Sequence, residues 1–280
     1  MLLPAGPGPW QNIRVTAGPP RLYVEHPVCE ELSPVVDCLW TSGAAQIRGG
    51  VEYPILPDGC VDIVFRFRRR AGRVDWLGSS LLEEAIVVGP MTRALWMAPD
   101  PRDEWMGVRF RPGRAYQFVR VALERLVDLK PAVADVLIGR NVTRLERAAE
   151  AHSLGQRLNG LSRAILEMNL GEQTPPTPVL DALNAIQAAG GGLRVDRLCR
   201  DIGISRQHLS REFGKHVGLS PKTLCRILRF RRVLRRMRRQ ATPDWADLAA
   251  ELGYYDQAHL ISDFSQLCGK TPERYRRQAQ

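Results

Sequence analysis

Val195-Asp196-Arg197-Leu198-Cys199-Arg200-Asp201-Ile202-Gly203 recurs 50 residues later as Trp245-Ala246-Asp247-Leu248-Ala249-Ala250-Glu251-Leu252-Gly253. Ser205-Arg206-Gln207-His208-Leu209-Ser210-Arg211-Glu212-Phe213 recurs 51 residues later as Asp256-Gln257-Ala258-His259-Leu260-Ile261-Ser262-Asp263-Phe264. The first copy closes at Gly218 and Ser220-Pro221, the second at Gly269 and Thr271-Pro272. One residue is inserted in the second turn, after the glycine. The chain therefore carries a duplicated unit of helix, glycine turn and helix.

Each copy has a physical reading. Val195, Leu198, Cys199 and Ile202 fall at steps of three and four, so one stripe of a short helix is apolar. Gly203 supplies the turn, and Ser205 is placed to cap the next helix, whose Leu209 and Phe213 face inward. Arg206, Gln207, Ser210 and Arg211 are left on the outer face, where such side chains hydrogen-bond phosphates or base edges. Between the copies, Ser220 caps and Pro221 opens a helix that runs without a breaker to about Gln240, a rod of roughly 30 Å. Adjacent major-groove segments on one face of B-DNA lie about 34 Å apart. Ile227, Phe230, Leu234 and Met237 give the rod one apolar side. Arg226, Arg229, Arg231, Arg232, Arg235, Arg236, Arg238 and Arg239 fill much of the rest, an accumulation of charge that a polyanion would relieve.

From Leu193 to Arg277 these residues resemble the AraC/XylS family of bacterial transcription regulators. The matching motifs are Gly203-x-Ser205-x-x-x-Leu209-x-Arg211-x-Phe213, Gly218-x-Ser220-Pro221, Arg229-Phe230, Leu248-Ala249-x-x-Leu252-Gly253-Tyr254 through Phe264, and Gly269-x-Thr271-Pro272-x-x-Tyr275-Arg276. The resemblance implies a sequence-specific DNA-binding regulator with two recognition helices, about 205–216 and 256–267, in successive major grooves. It implies DNA contacts from Arg206, Gln207, Ser210 and Arg211 in the first unit and from Gln257, Ala258, Ile261 and Ser262 in the second. Where the family generally has an arginine in the second recognition helix, this chain has Ser262. The first unit is therefore expected to carry most of the base reading and the second to position the protein on phosphate.

The charge distribution agrees. The chain has 40 Lys+Arg against 30 Asp+Glu, but from Thr177 onward the counts are 19 and 10, so nearly all of the +10 excess sits in the C-terminal part. Leu170-Gly171-Glu172-Gln173-Thr174-Pro175-Pro176-Thr177-Pro178 reads as a linker, with Thr177 expected to cap a new helix and Pro178 at its first position. The expected organisation is an N-terminal sensing or dimerisation domain at 1–169, a linker at 170–177 and a DNA-binding domain at 178–280. No apolar run reaches the roughly 20 residues of a membrane span, and the N-terminus lacks the pattern of a signal peptide. A cytoplasmic protein with no membrane partner is expected.

The expected fold class is α+β: a small β-rich barrel or sandwich followed by helices, then an all-α domain of two helix-turn-helix units joined by a long helix. Pro57-Asp58-Gly59 signals a turn, and Val61 to Arg68 a strand with Ile63, Phe65 and Phe67 on one face. Gly72 marks a hairpin loop before Val74-Asp75-Trp76-Leu77. Further strands are predicted at Ala85 to Val88, Arg93 to Met97 and Trp105 to Phe110, with turns at Gly89-Pro90 and Pro99-Asp100-Pro101. After Pro112-Gly113 the period becomes helical through Tyr116, Val119, Leu123, Leu126 and Val127, then around Leu137 and Leu145 and from Leu154 to Met168. Pro57-Asp58-Gly59-Cys60-Val61-Asp62-Ile63, Val88-Gly89-Pro90-x-Thr92-Arg93 and Gly107-Val108-Arg109-Phe110-Arg111-Pro112-Gly113 resemble the β-rich N-terminal domain of some members of this family. That implies a small-molecule effector or a homodimer contact at this domain, and RNA polymerase as a partner if the protein activates.

Arg66, Arg68, Arg109 and Arg111 alternate along strands and either line an anion site or form a solvated face. Trp40, Trp76, Trp96 and Trp105 either wall an aromatic pocket or fill the core. Six cysteines, Cys29, Cys38, Cys60, Cys199, Cys225 and Cys268, show no Cys-x-x-Cys pair and read as free thiols. His208 and His259 occupy matching places in the repeats and read as packing or helix-start residues. No cofactor, metal site or catalytic constellation is expected, so the protein is not read as an enzyme. Two alternatives stand beside the regulator: a repair-type cysteine that accepts alkyl groups beside this type of DNA-binding domain, and a nonspecific architectural binder using the basic rod alone.

Overall fold

Alternation along Val61-Asp62-Ile63-Val64-Phe65-Arg66-Phe67 turns Ile63, Phe65 and Phe67 to one side of a strand, and the N-terminal half is built around that strand. The computed structural model of the chain describes residues 23–43, 52–70, 73–76, 85–97, 100, 103–137, 139–168, 175–239 and 243–279. Its strands are β1 (Tyr23–His26), β2 (Val36–Gly43), β3 (Tyr53–Ile55), β4 (Val61–Arg70), β5 (Arg73–Trp76), β6 (Ala85–Val88), β7 (Leu95–Met97) and β8 (Asp103–Phe110). They form an antiparallel sheet in the order β1-β2-β8-β4-β5, with β6 also on β4, and a separate β3-β7 ribbon. The expected barrel or sandwich is thus an open sheet. β4 gives its first half to β6 and its second to β5, and neither pairs with β1, so among the described residues the sheet does not close.

Leu39, Ile63, Phe65, Phe67, Met106, Val108 and Phe110 make the apolar face of this sheet. Helices α1 (Val133–Val136), α2 (Gly139–Ala149) and α3 (Leu154–Glu167) cover it with Leu145, Leu161 and Ile165. Ser153 and Gln156 close a reciprocal capping box at the start of α3. The helical period read from Tyr116 to Val127 does not become one helix. It becomes two 3-10 turns, Ala115–Phe118 and Leu123–Leu126, because the chain between them is drawn into tertiary pairing: Val119 bridges Leu137, and Arg120 N–H donates to the Val136 carbonyl at 2.8 Å. The predicted turns at Gly72 and at Pro99-Asp100-Pro101 lie outside the described residues, apart from Asp100, and the linker is described only from Pro175.

The C-terminal half is helical: α4 (Thr177–Ala188), α5 (Val195–Asp201), α6 (Arg206–Val217), α7 (Pro221–Arg239), α8 (Trp245–Leu252), α9 (Gln257–Cys268) and α10 (Pro272–Ala279). Pro176 rather than Thr177 is the N-cap residue of α4, one position before the sequence reading. Leu209, Phe213, Ile227, Phe230, Leu234, Leu260 and Phe264 share one core, so both repeats pack on the apolar side of α7.

That core continues into the N-terminal half. Leu56 belongs to it, and Ala94, Trp96 and Val127 pack on it. Trp96 Nε1 donates to the Cys268 carbonyl at 3.1 Å, and Lys270 lies 3.2 Å from the Trp96 ring centre. Gly218 ends α6 in the left-handed region at φ 83, and a Cβ there would meet Pro90 Cγ at 2.7 Å and the Leu123 carbonyl oxygen at 3.0 Å. Glycine is needed at that point both for the backbone turn and for the close approach.

The polar face of the sheet supplies the charged part of this junction. Asp58 Oδ2 lies 3.5 Å from Arg109 Nε of β8 and 3.8 Å from Arg231 Nη1 of α7. Arg231 Nη1 also donates to the Asp58 carbonyl at 3.4 Å. Asp62 accepts from Arg109 Nε at 3.2 Å and from Trp40 Nε1 at 2.8 Å, while Arg111 pairs with Asp37 at 3.2 Å. Arg66 pairs with Asp103 at 2.6 Å. Three of the four strand arginines are therefore matched to carboxylates, which makes this face neither a free anion site nor a solvated one; the Arg68 side chain lies outside the described residues. Burial pushes the Asp62 carboxyl up to about 6 against the pull of Arg109. The tryptophans do not form one wall. Trp40 stacks on Tyr23, Trp105 faces Arg66, Trp96 sits at the junction, and the Trp76 side chain lies outside the described residues.

Candidate nucleic-acid interface

The first repeat folds as its residues dictate. Ser205 Oγ accepts the His208 N–H at 3.1 Å, which satisfies one of the free donors at the start of α6. Leu209 and Phe213 are fully buried, and Arg206, Gln207, Ser210 and Arg211 are all exposed along the first turns. Arg206 reaches Asp196 of α5 at 3.0 Å, and Arg211 reaches Glu212 at 3.2 Å and His208 Nδ1 at 3.3 Å. These are surface contacts worth little in water, so both guanidiniums are free to exchange them for phosphate or base oxygens.

The second repeat follows the same plan. Asp256 Oδ1 accepts the His259 N–H at 2.7 Å, and Asp244 caps α8 by accepting from Ala246 and Asp247. The His259 ring stands edge-on to Tyr254 at 5.4 Å, and its Nδ1 accepts the Tyr255 N–H at 3.3 Å. The matched histidines are thus both at helix starts. Gln257, Ala258 and Ser262 are exposed; Ile261 is only half-exposed because it packs against the domain core. Ser262 Oγ accepts from Gln266 at 3.4 Å.

Two features escape a reading by sequence period alone. Asp263 lies in α9 yet is buried, and it receives Arg226 Nε at 2.8 Å, with Arg229 at 3.7 Å. Those two arginines, together with Arg231, are structural, so the rod offers fewer exposed charges than its composition suggests. Tyr255 is 92 % exposed beside the cap of α9. Its aromatic type gave no hint of this, because the neighbouring Tyr254 is buried.

Burial raises the Cys38 thiol to about 12 and the Cys225 and Cys268 thiols to about 11, and pushes Cys60 well above its ordinary value. A thiol held protonated is a poor nucleophile. Among the described residues no group of three His, Cys, Asp or Glu side chains could hold a metal ion, and no helix is long and apolar enough to cross a membrane.

Comparison with known proteins adds two domain matches. Residues 198–278 match a family described as a helix-turn-helix domain, and residues 24–132 match a domain of unknown function, DUF6597. No curated protein matches the chain. Among solved structures, ToxT from Vibrio cholerae is 8% identical, covering 92% of this chain and 99% of that one with a TM-score of 0.41. An apo ToxT variant from the same organism is 9% identical over 86% of this chain and 98% of that one, TM-score 0.43. The xylose-binding transcription activator xylR is 20% identical over 44% of this chain and 38% of that one, TM-score 0.29.

Proposed function

We propose that this chain, whose residues 198–278 form an AraC-type helix-turn-helix domain, regulates transcription by placing α6 and α9 in successive major grooves of a specific DNA site. The observation that carries the proposal is the duplicated arrangement itself: two capped helices whose first turns present polar side chains to solvent while their opposite faces share one core. Arg206, Gln207, Ser210 and Arg211 read bases in the first half-site. Gln257, Ala258 and Ser262 make shorter contacts in the second, and the half-buried Ile261 is left an edge able to touch a thymine methyl. Residues 1–169 form a sensing or dimerisation domain, 170–177 a linker and 178–280 the DNA-binding domain, in a cytoplasmic protein. An effector at the N-terminal domain, a homodimer, and RNA polymerase for an activator belong to the same proposal.

Selection of bound duplexes from a randomised library with the full-length chain, followed by competition with scrambled DNA, tests it. A bipartite motif with half-sites about one helical turn apart supports the reading. Equal binding of selected and scrambled duplexes favours the architectural alternative, and no binding at either low or moderate salt sinks both.

A further inference from the structure

The arginines of α7 have different fates. Arg226 and Arg229 close onto Asp263, and Arg231 onto Asp58. At 100° per residue, Arg232, Arg235, Arg236 and Arg239 fall within about a third of the helix circumference, over roughly 10 Å of its length. With Glu251 and Leu252 at the end of α8 they line a cavity of about 260 Å³. Glu251 pairs with Arg236, and it is the one carboxylate among the lining residues, beside four arginines. Arg232 is laid against bare backbone: a Cβ at Gly190 would meet its Cδ at 2.9 Å. Arg235 Nε is shut off from water and has no hydrogen-bond partner among the described residues. Burial, then the charges of Arg239 and Arg232, pushes the Arg235 guanidinium below its ordinary value.

Like charges gathered in a concave site need a reason. Among the residues that line it, nothing supplies the three negative charges that would balance the four arginines, whereas the cluster around Asp58 matches its arginines with carboxylates. We propose that the cavity between α7 and α8 is a phosphate-binding site. A planar guanidinium presents parallel N–H donors that match two oxygens of a phosphate, and four of them around one volume suit a group that is both tetrahedral and multiply charged. The volume lies just below that of pockets for drug-sized ligands, so it takes one or two phosphoryl groups rather than a whole nucleotide. Two sources share this chemistry. One is a backbone phosphate of bound DNA, since Glu251 precedes Gln257 of the second reading helix by six residues; that source rests on the proposed function. The other is a free pyrophosphate-type ligand, which does not.

The test uses the full-length chain and sodium pyrophosphate as probe, titrated calorimetrically at fixed ionic strength without divalent metal, alongside DNA affinity measured across a salt series. The variants are R235Q/R239Q, E251Q, and R163Q on the remote helix α3 as control. A site for free phosphate gives pyrophosphate binding that weakens about tenfold or more in R235Q/R239Q, tightens several-fold in E251Q and stays unchanged in R163Q, with the DNA salt slope unaltered. If DNA phosphate fills the site, R235Q/R239Q lowers the slope of log affinity against log salt by about 0.9 for each phosphate no longer neutralised, and pyrophosphate competes with DNA. E251Q removes no positive charge, so tightening there cannot come from a damaged fold. Unchanged salt slope together with no pyrophosphate binding, or with binding equal in every variant, overturns the proposal. Failure of the wild-type chain to bind DNA at all would sink the regulator reading while leaving the pyrophosphate arm to decide this one.

Discussion

Removing the Asp58 carboxylate should unfasten the two halves of the molecule. The Arg231 side chain is 4% exposed, that of Asp58 is 10% exposed, and the nearest N–O distance between them is 3.8 Å. At that separation the attraction is about 4 kcal/mol for an effective dielectric of 20, before desolvation is counted. The buried cluster holds Arg109, Arg111 and Arg231 against Asp37, Asp58 and Asp62, so Asp58→Ala leaves it with one excess positive charge. Breaking a buried pair from one side costs about 3–5 kcal/mol, whereas replacing both members with apolar groups is often close to neutral. Asp58→Ala should therefore lower the urea midpoint by roughly 1–1.7 M if the slope is about 3 kcal/mol/M. Arg231→Met should cost less, because Asp58 keeps Arg109 at 3.5 Å. The double variant should be more stable than Asp58→Ala alone. Tryptophan fluorescence, to which the junction residue Trp96 contributes, and helical circular dichroism follow the unfolding; in Asp58→Ala the two transitions should separate as the halves part before the helices melt. Single costs that simply add in the double variant, or an Asp58→Ala cost under about 1 kcal/mol, would refute the reasoning.

Arg211→Ala should weaken DNA binding by about 1–3 kcal/mol and relax preference at one or two base pairs, and Ser262→Ala by less than about 1 kcal/mol. Ser262→Arg should tighten binding and create a preference in the second half of the site, all three read from binding profiles on a randomised library; a larger loss of specificity in Ser262→Ala than in Arg211→Ala reverses the assignment of roles. Asp62 should titrate near 6 in the folded chain, against about 3.9 when unfolded. The folded state then holds the extra proton between those values, so the contribution of Asp62 to stability falls by about 2–3 kcal/mol as pH rises from about 4 to 6 and is flat above. Carboxyl chemical shifts of Asp62 check this, and a midpoint near 4 rules it out.

The C-terminal repeat was legible because its determinants are local. Caps such as Ser205 and Asp256, glycine ends and apolar steps of three and four all act within a dozen residues, and the helices α6 and α9 start one residue after their caps. What could not be read is what depends on distant partners. Arg231 looked like one more exposed arginine, since its partner Asp58 is 173 residues away in sequence. The segment from Tyr116 to Val127 has a helical period but is held open by Val136 and Leu137, which no local pattern reveals. The short strands β1 and β3 carry too few residues to show alternation, and the openness of the sheet follows from how β4 divides its edge. Around α6 and α9, the burial of Asp263 against Arg226, the partial burial of Ile261 and the exposure of Tyr255 all needed the structure.

The wedge of Gly218 between Pro90 and Leu123 narrows the amino-acid alphabet at that position. A left-handed helix end is usually glycine and sometimes asparagine, the latter at a cost in backbone strain. Gly253, which ends α8 at φ 75, has nothing within 4 Å of where a Cβ would stand, so asparagine there would meet the strain of the backbone alone. At position 218 the carbonyl of Leu123 strikes that letter out. Two glycines of the same backbone type thus differ in what they tolerate, and the difference is written by Pro90 and Leu123 of the N-terminal half. Without the contact from Pro90 and Leu123, position 218 would carry the same single restriction as position 253, the left-handed backbone.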